Sequence, residues 1–114
     1  MSIPDEIDYE SIDPRIRALA QKDFKAAIQH AAEELAEASA ACAALYRAVA
    51  LGDGDADARA RACAEELADA LIMIDQVLCA VPPIRMLLPV VREEKIYRSM
   101  LRYGVKLETP KGQK

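Results

Sequence analysis

Residues 32–38 read AEELAEA and residues 64–70 read AEELADA, so the two heptapeptides differ only in their last acid, Glu37 against Asp69. Around the first, Phe24, Ile28, Ala31, Leu35, Ala38, Cys42, Leu45 and Val49 recur in alternating steps of four and three. Around the second, Cys63, Leu67, Ala70, Ile74, Val77 and Val81 do the same. Such steps keep residues on one stripe of an α-helix, the pattern with which helices pack knobs into holes. LGDGD at 51–55 separates the two stripes, and Gly52 is a helix stop. A loop this short makes the two helices antiparallel neighbours.

The rest of the chain fits an all-α antiparallel bundle of about four helices. Asp13 before Pro14 reads as an N-cap with proline at the first helical position. The first helix is expected from about 14 to 51 with a break near Gln21, and the second from about Asp57 to Val81, ended by Pro82–Pro83. The segment IRMLL then leads to a last helix over 89–103, stopped by Gly104. Residues 1–13 read as an extended acidic arm, 14–103 as the helical domain and 104–114 as a flexible tail. Ten of the twenty residues from 31 to 50 are alanine, on nearly every face. A helix apolar all round is buried on more than one side, so a homo-oligomer, dimer or tetramer, is expected.

Composition narrows the function. With 114 residues the chain is one domain with a modest core. The net charge of −4 and a pI near 5.0 argue against a nucleic-acid surface. No apolar run approaches a membrane span, and the acidic N-terminus is unlike a signal peptide. Cys42, Cys63 and Cys79 lack metal-ligand spacing and read as reduced, buried thiols of a cytoplasmic protein.

The acidic repeats carry the chemistry. With Leu35 and Leu67 at heptad position a, Glu34 and Glu66 fall at g, and Glu37 and Asp69 at c. Antiparallel packing turns like flanks toward one another, so these four carboxylates converge. Like charges that close raise one another's pKa, and protons or cations must neutralise them. An all-oxygen site suits a hard cation, Mg²⁺ with Mn²⁺ as the alternative. Mg²⁺ retains waters and bridges to phosphates, which points to phosphoryl chemistry. Either heptapeptide alone reads as a solvated helix face; the matched register of the pair and the cationic stretch downstream set them apart.

EELAEA, then EELADALIMIDQV, then EEKIYRSMLR resemble, in that order, the E-E-x-x-E, E-x-x-D and K-x-x-R signature of the MazG-like all-α nucleoside triphosphate pyrophosphohydrolases. The likeness covers roughly residues 20–103. It implies Mg²⁺-dependent hydrolysis of a nucleoside triphosphate between the α and β phosphates, giving a nucleoside monophosphate and pyrophosphate, in nucleotide-pool house-cleaning. It implies Glu34, Glu37, Glu66 and Asp69 as metal ligands and Glu33 as a further ion or water contact. Lys95 and Arg98 match the cationic pair that meets the phosphates. Gln76 stands where relatives carry an asparagine, in reach of sugar or base. Dimeric dUTP or dCTP hydrolases and phosphoribosyl-ATP pyrophosphohydrolases share the pattern and remain alternatives, as does a non-catalytic helical module. His30, one turn before Glu34, reads as incidental, Asp75 as exposed, and Tyr46, Tyr97 and Tyr103 as packing residues.

Overall fold

The computed structural model describes residues 4–107, and these contain four α-helices and no strand. They are α1 (Pro14–Lys22), α2 (Phe24–Leu51), α3 (Ala56–Ala80) and α4 (Pro82–Tyr103), preceded by a 3₁₀ turn at Tyr9–Ser11. Residues 108–114, most of the segment read as a tail, lie outside the described residues.

Short polar side chains place the boundaries. The Asp13 carboxylate accepts from the Arg15 N–H at 2.9 Å, with Pro14 opening α1. The break expected near Gln21 falls at Asp23. Its extended backbone (φ −161°) ends α1, and its carboxylate accepts from the Ala26 N–H at 3.1 Å to start α2. Gly52, at φ 69°, adopts the left-handed turn that closes α2. Asp55 caps α3 through the N–H groups of Asp57 (2.9 Å) and Ala58 (3.2 Å).

The prolines act differently from the expectation. Pro82 and Pro83 do end α3, but they also occupy the first positions of α4, which starts seven residues before Pro89. The first helical turn needs no N–H from them. Pro89 sits inside α4 and has no N–H to give the Arg85 carbonyl one turn back. That carbonyl instead accepts from the backbone N–H of Ile7 at 2.9 Å. Residues 4–13 of the segment read as an extended arm are thereby docked on the helices, and residues 1–3 lie outside the described residues. Ile7, Tyr9 and Ile12 join Ala20, Leu78 and Cys79 in one apolar cluster, with Ile16, Ile84 and Leu88 around it. The Tyr9 ring lies under the guanidinium groups of Arg17 (5.4 Å) and Arg85 (5.0 Å), and its hydroxyl accepts from Gln21 at 2.7 Å. The α1 helix also covers part of α3, so Asp75 is half-buried rather than exposed, and burial followed by the charge of Asp13 raises its pKa.

The α2–α3 hairpin is antiparallel, as its short loop requires, but its seam is not the expected one. The inward residues of α2 are Ala27, Ala31, Glu34, Ala38, Ala41, Leu45 and Ala48. On α3 Cys63, Glu66, Ala70, Met73 and Val77 form the matching stripe, while Gln76, Leu78 and Cys79 are buried off it toward the end of the helix. Both stripes are positions d and g. The a positions Ile28 and Leu35 are 47% and 48% exposed, and Leu67 is 43% exposed. Each helix is therefore turned by about 60° from the expected a/d seam. Alanine supplies most of the α2 side of this seam, at Ala27, Ala31, Ala38, Ala41 and Ala48, while the bulky Ile28, Leu35 and Leu67 face outward.

The resulting core is thin. Among the described residues no large side chain is fully buried. An alanine methyl contributes only ~0.8 kcal/mol on burial against ~1.5–3 kcal/mol for a leucine. The α4 helix packs on α3 chiefly through Ile84 and Leu88 in its first turns, and residues 91–99 are exposed throughout. The radius of gyration, 17.8 Å, exceeds the ~13 Å of a compact chain this long. Tyr46, Tyr97 and Tyr103, expected to pack, are exposed here. No helix among the described residues is long and apolar enough to cross a membrane.

Candidate metal centre

The turn of the seam changes the surroundings of the acidic repeats. At position g, Glu34 and Glu66 lie between the helices rather than on their flank, and both are half-buried. Glu37, from position c, reaches in from the rim. One carboxylate oxygen from each of Glu34, Glu37 and Glu66 lies within 4.8 Å of the other two. Oε2 of Glu34 and Oε2 of Glu66 are shut off from solvent and have no hydrogen-bond partner among the described residues.

Burial is the largest cause that pushes both carboxyls above their ordinary range. The charges of Glu37, Asp69 and Glu66 and a side-chain hydrogen bond to Glu37 then raise Glu34, and the charge of Glu37, a side-chain hydrogen bond to it, and the charges of Asp69 and Glu65 raise Glu66. No cation offsets them: the ion pairs among the described residues are Arg15–Asp13, Arg17–Glu10 and Arg61–Glu65, none of which reaches Glu34, Glu37 or Glu66. Two buried oxygens without donors beside a third carboxylate fit a hard divalent cation, which needs oxygen ligands and relieves both the desolvation and the repulsion.

Three of the four expected ligands thus meet. Asp69 is exposed and outside that group of three, though its charge is felt by two of them. Glu33 is exposed on the outer face, and its counterpart Glu65 pairs with Arg61 at 3.9 Å. Gln76 is nine-tenths buried, and its amide nitrogen donates to the Met73 sulfur at 3.4 Å. With His30, Lys22, Asp23, Leu19 and Ala26 it lines a concavity of about 430 Å³ at the α1–α2 break. His30 thus borders a hollow instead of standing alone. The signal was its place four residues before Glu34, which the antiparallel register sets opposite Gln76, seven residues beyond Asp69.

Lys95 and Arg98 stand on the exposed part of α4, and neither forms an ion pair with the carboxylates. Together with Ser99 and Arg102 they line a shallow basic concavity of about 390 Å³. Arg102, four residues after Arg98, shares its helix face and extends the expected pair to three cations. Lys95 also borders an apolar groove of about 630 Å³ with Leu88, Val91, Ile96, Met100 and Tyr103. Neither a protein-family model, nor a curated protein, nor a solved structure matches the chain.

Proposed function

We propose that this chain is a divalent-cation-dependent nucleoside triphosphate pyrophosphohydrolase of the MazG-like kind, cleaving between the α and β phosphates. The observation that carries the reading is the pair of buried, donorless oxygens of Glu34 and Glu66, brought within reach of Glu37 from two different helices. A solvated acidic stripe would leave those oxygens in water.

Glu34, Glu37 and Glu66 would hold Mg²⁺, or Mn²⁺ in its place, with Asp69 as an outer ligand. Bound there, the ion supplies the positive charge that makes a water nucleophilic near neutral pH and offsets charge on the leaving pyrophosphate. The hollow beside the cluster, with the Gln76 amide, His30 and Lys22 in its wall, would receive the nucleoside. His30 lies one turn before Glu34 on α2, so in this reading a nucleoside held there would extend its phosphates toward the acids. Orientation and electrostatics supply most of the rate in such phosphoryl transfers.

The cations enter from a second copy in this reading. Lys95, Arg98 and Arg102 are on a segment that stands clear of its own bundle, and the outward stripe of Ile28, Leu35, Leu67 and Leu71 awaits a cover. A homodimer or homotetramer that buries the stripe and the α4 groove would bring one chain's basic face to the other's polyphosphate.

Release of pyrophosphate tests the reading. The protein is incubated with Mg²⁺ and a panel of canonical and damaged nucleoside triphosphates, dUTP, dCTP and phosphoribosyl-ATP among them. Release from at least one is expected; release from none sinks the proposal and leaves a non-catalytic helical module. Mixing inactive Glu66→Gln chains with weakened Lys95→Ala chains tests the shared site, since mixed oligomers regain activity only if acids and cations come from different copies.

A further inference from the structure

Cys42 of α2 and Cys63 of α3 face one another across the seam with their sulfurs 3.5 Å apart. Both are free thiols, Cys42 exposed and Cys63 buried. They form the layer next to the carboxylates on the loop side, since Glu66 follows Cys63 by one turn and Glu37 precedes Cys42 by little more. Beyond them the hairpin is weakly held: between residues 43 and 62 Ala48 alone is buried, and the whole stretch from 49 to 62 is exposed. A cross-link here would act where packing is poorest.

The geometry permits one. A disulfide requires sulfurs ~2.05 Å apart, so these must close by ~1.5 Å, which side-chain rotation at the exposed Cys42 and a slight approach of the helices can supply. The neighbouring seam residues Ala38, Ala41 and Ala70 are small and do not hold the backbones apart. The third thiol, Cys79, is buried with Ile12, Ala20 and Leu78 in the other cluster and has no cysteine neighbour.

We propose that Cys42 and Cys63 are a reversible dithiol pair, closed by a small-molecule disulfide into an intramolecular bond that staples the hairpin tip above the carboxylate layer. The exposed Cys42 reacts first. Its thiolate attacks one sulfur of the small disulfide, the S–S bond of that molecule breaks, and one small thiolate leaves. The Cys63 thiolate then attacks Cys42 Sγ, forming the Cys42–Cys63 bond and expelling the second small thiolate. Each departing thiolate takes up the proton its cysteine lost. Two protein thiols are oxidised and one small disulfide is reduced to two thiols. Cys63 comes second because its hydrogen bond to Cys42, and then its burial, hold its thiol protonated above the ordinary range. The proposal stands on the thiols alone, whatever the carboxylates bind.

The test titrates the purified full-length chain with oxidised and reduced glutathione. Closure is expected to lower the mass by two hydrogen atoms, leave one reactive thiol under denaturing conditions, and raise the melting temperature by about 10 °C. Amide exchange over residues 46–60 slows, and excess reduced glutathione reverses all of it. Cys42→Ser and Cys63→Ala each abolish closure, whereas Cys79→Ala retains it. Three free thiols at oxidising ratios, a stable glutathione adduct on Cys42, or cross-linked chains in place of the internal bond would each overturn the proposal.

Discussion

The carboxylate layer and the basic half of α4 carry opposite charge and are built in opposite ways. Glu34 and Glu66 are set between two helices among alanines, where one oxygen of each loses water and gains no donor. Lys95, Arg98 and Arg102 stand on a helix segment exposed along its length, where charge costs little. A chain gains no stability from the first arrangement on its own, since repulsion and desolvation act against folding. The anionic layer is thus relieved by a proton or a counter-charge, while the cationic face is already solvated.

Substitutions break that contrast most sharply at the layer itself. Glu66→Gln is expected to lower the proposed pyrophosphohydrolase activity by about 10²-fold or more. The same change should leave the metal-free protein at least as stable as before, because it removes a buried charge. A metal-free melt below that of the unaltered chain would show that Glu66 is structural. Ala38→Leu, in the seam, should cost about 2 kcal/mol in denaturant unfolding through overpacking. Lys95→Ala should shift stability by less than about 0.5 kcal/mol while reducing activity. Equal stability losses at both positions would erase the distinction between the regions.

Metal and pH sharpen it further. Millimolar Mg²⁺ should raise the melting temperature by about 5 °C, and Glu37→Gln should remove most of that gain. The smallest effect is in pH. The native pKa values of Glu34 and Glu66 lie above the ordinary 4.5. Their ionised forms therefore destabilise the metal-free fold at neutral pH, and protonation relieves this as pH falls toward 4.5. Stability of the metal-free protein should rise modestly over that window, measured by melting at a series of pH values; with Mg²⁺ present the slope should reverse, because protons then compete with the ion. Asp13 acts oppositely and lower down. Its hydrogen bonds to Arg15 hold it at about 2 instead of 3.8, so its capping contribution persists above pH 3.8 and is lost as pH falls through about 2.

Helix content, the antiparallel hairpin and the meeting of the acidic repeats were legible in the sequence, because caps, glycine stops and heptad spacing are local signals. The identity of the seam was not. Counting apolar residues favours Leu35 and Leu67, whereas close approach favours the stripes of alanine and cysteine, and hydrophobicity alone does not rank the two. That choice decides whether Glu34 and Glu66 are at the rim or inside. The course of α4 was hidden for a related reason. Pro89 reads as a helix start when taken alone, and its tolerance inside a helix depends on Ile7, some eighty residues away. The separation of Lys95 and Arg98 from the acids follows from that longer, freestanding α4.

The bond between Ile7 and Arg85 has a consequence for how the chain can be cut or joined. A proline in mid-helix is ordinarily a flaw; here the vacated oxygen is a socket, and the opening residues of the polypeptide are its plug. A version beginning after Tyr9 would uncover that oxygen and lose the ring between two arginines, loosening the root from which α4 projects. The basic face would then lose its aim without a single residue of it being altered.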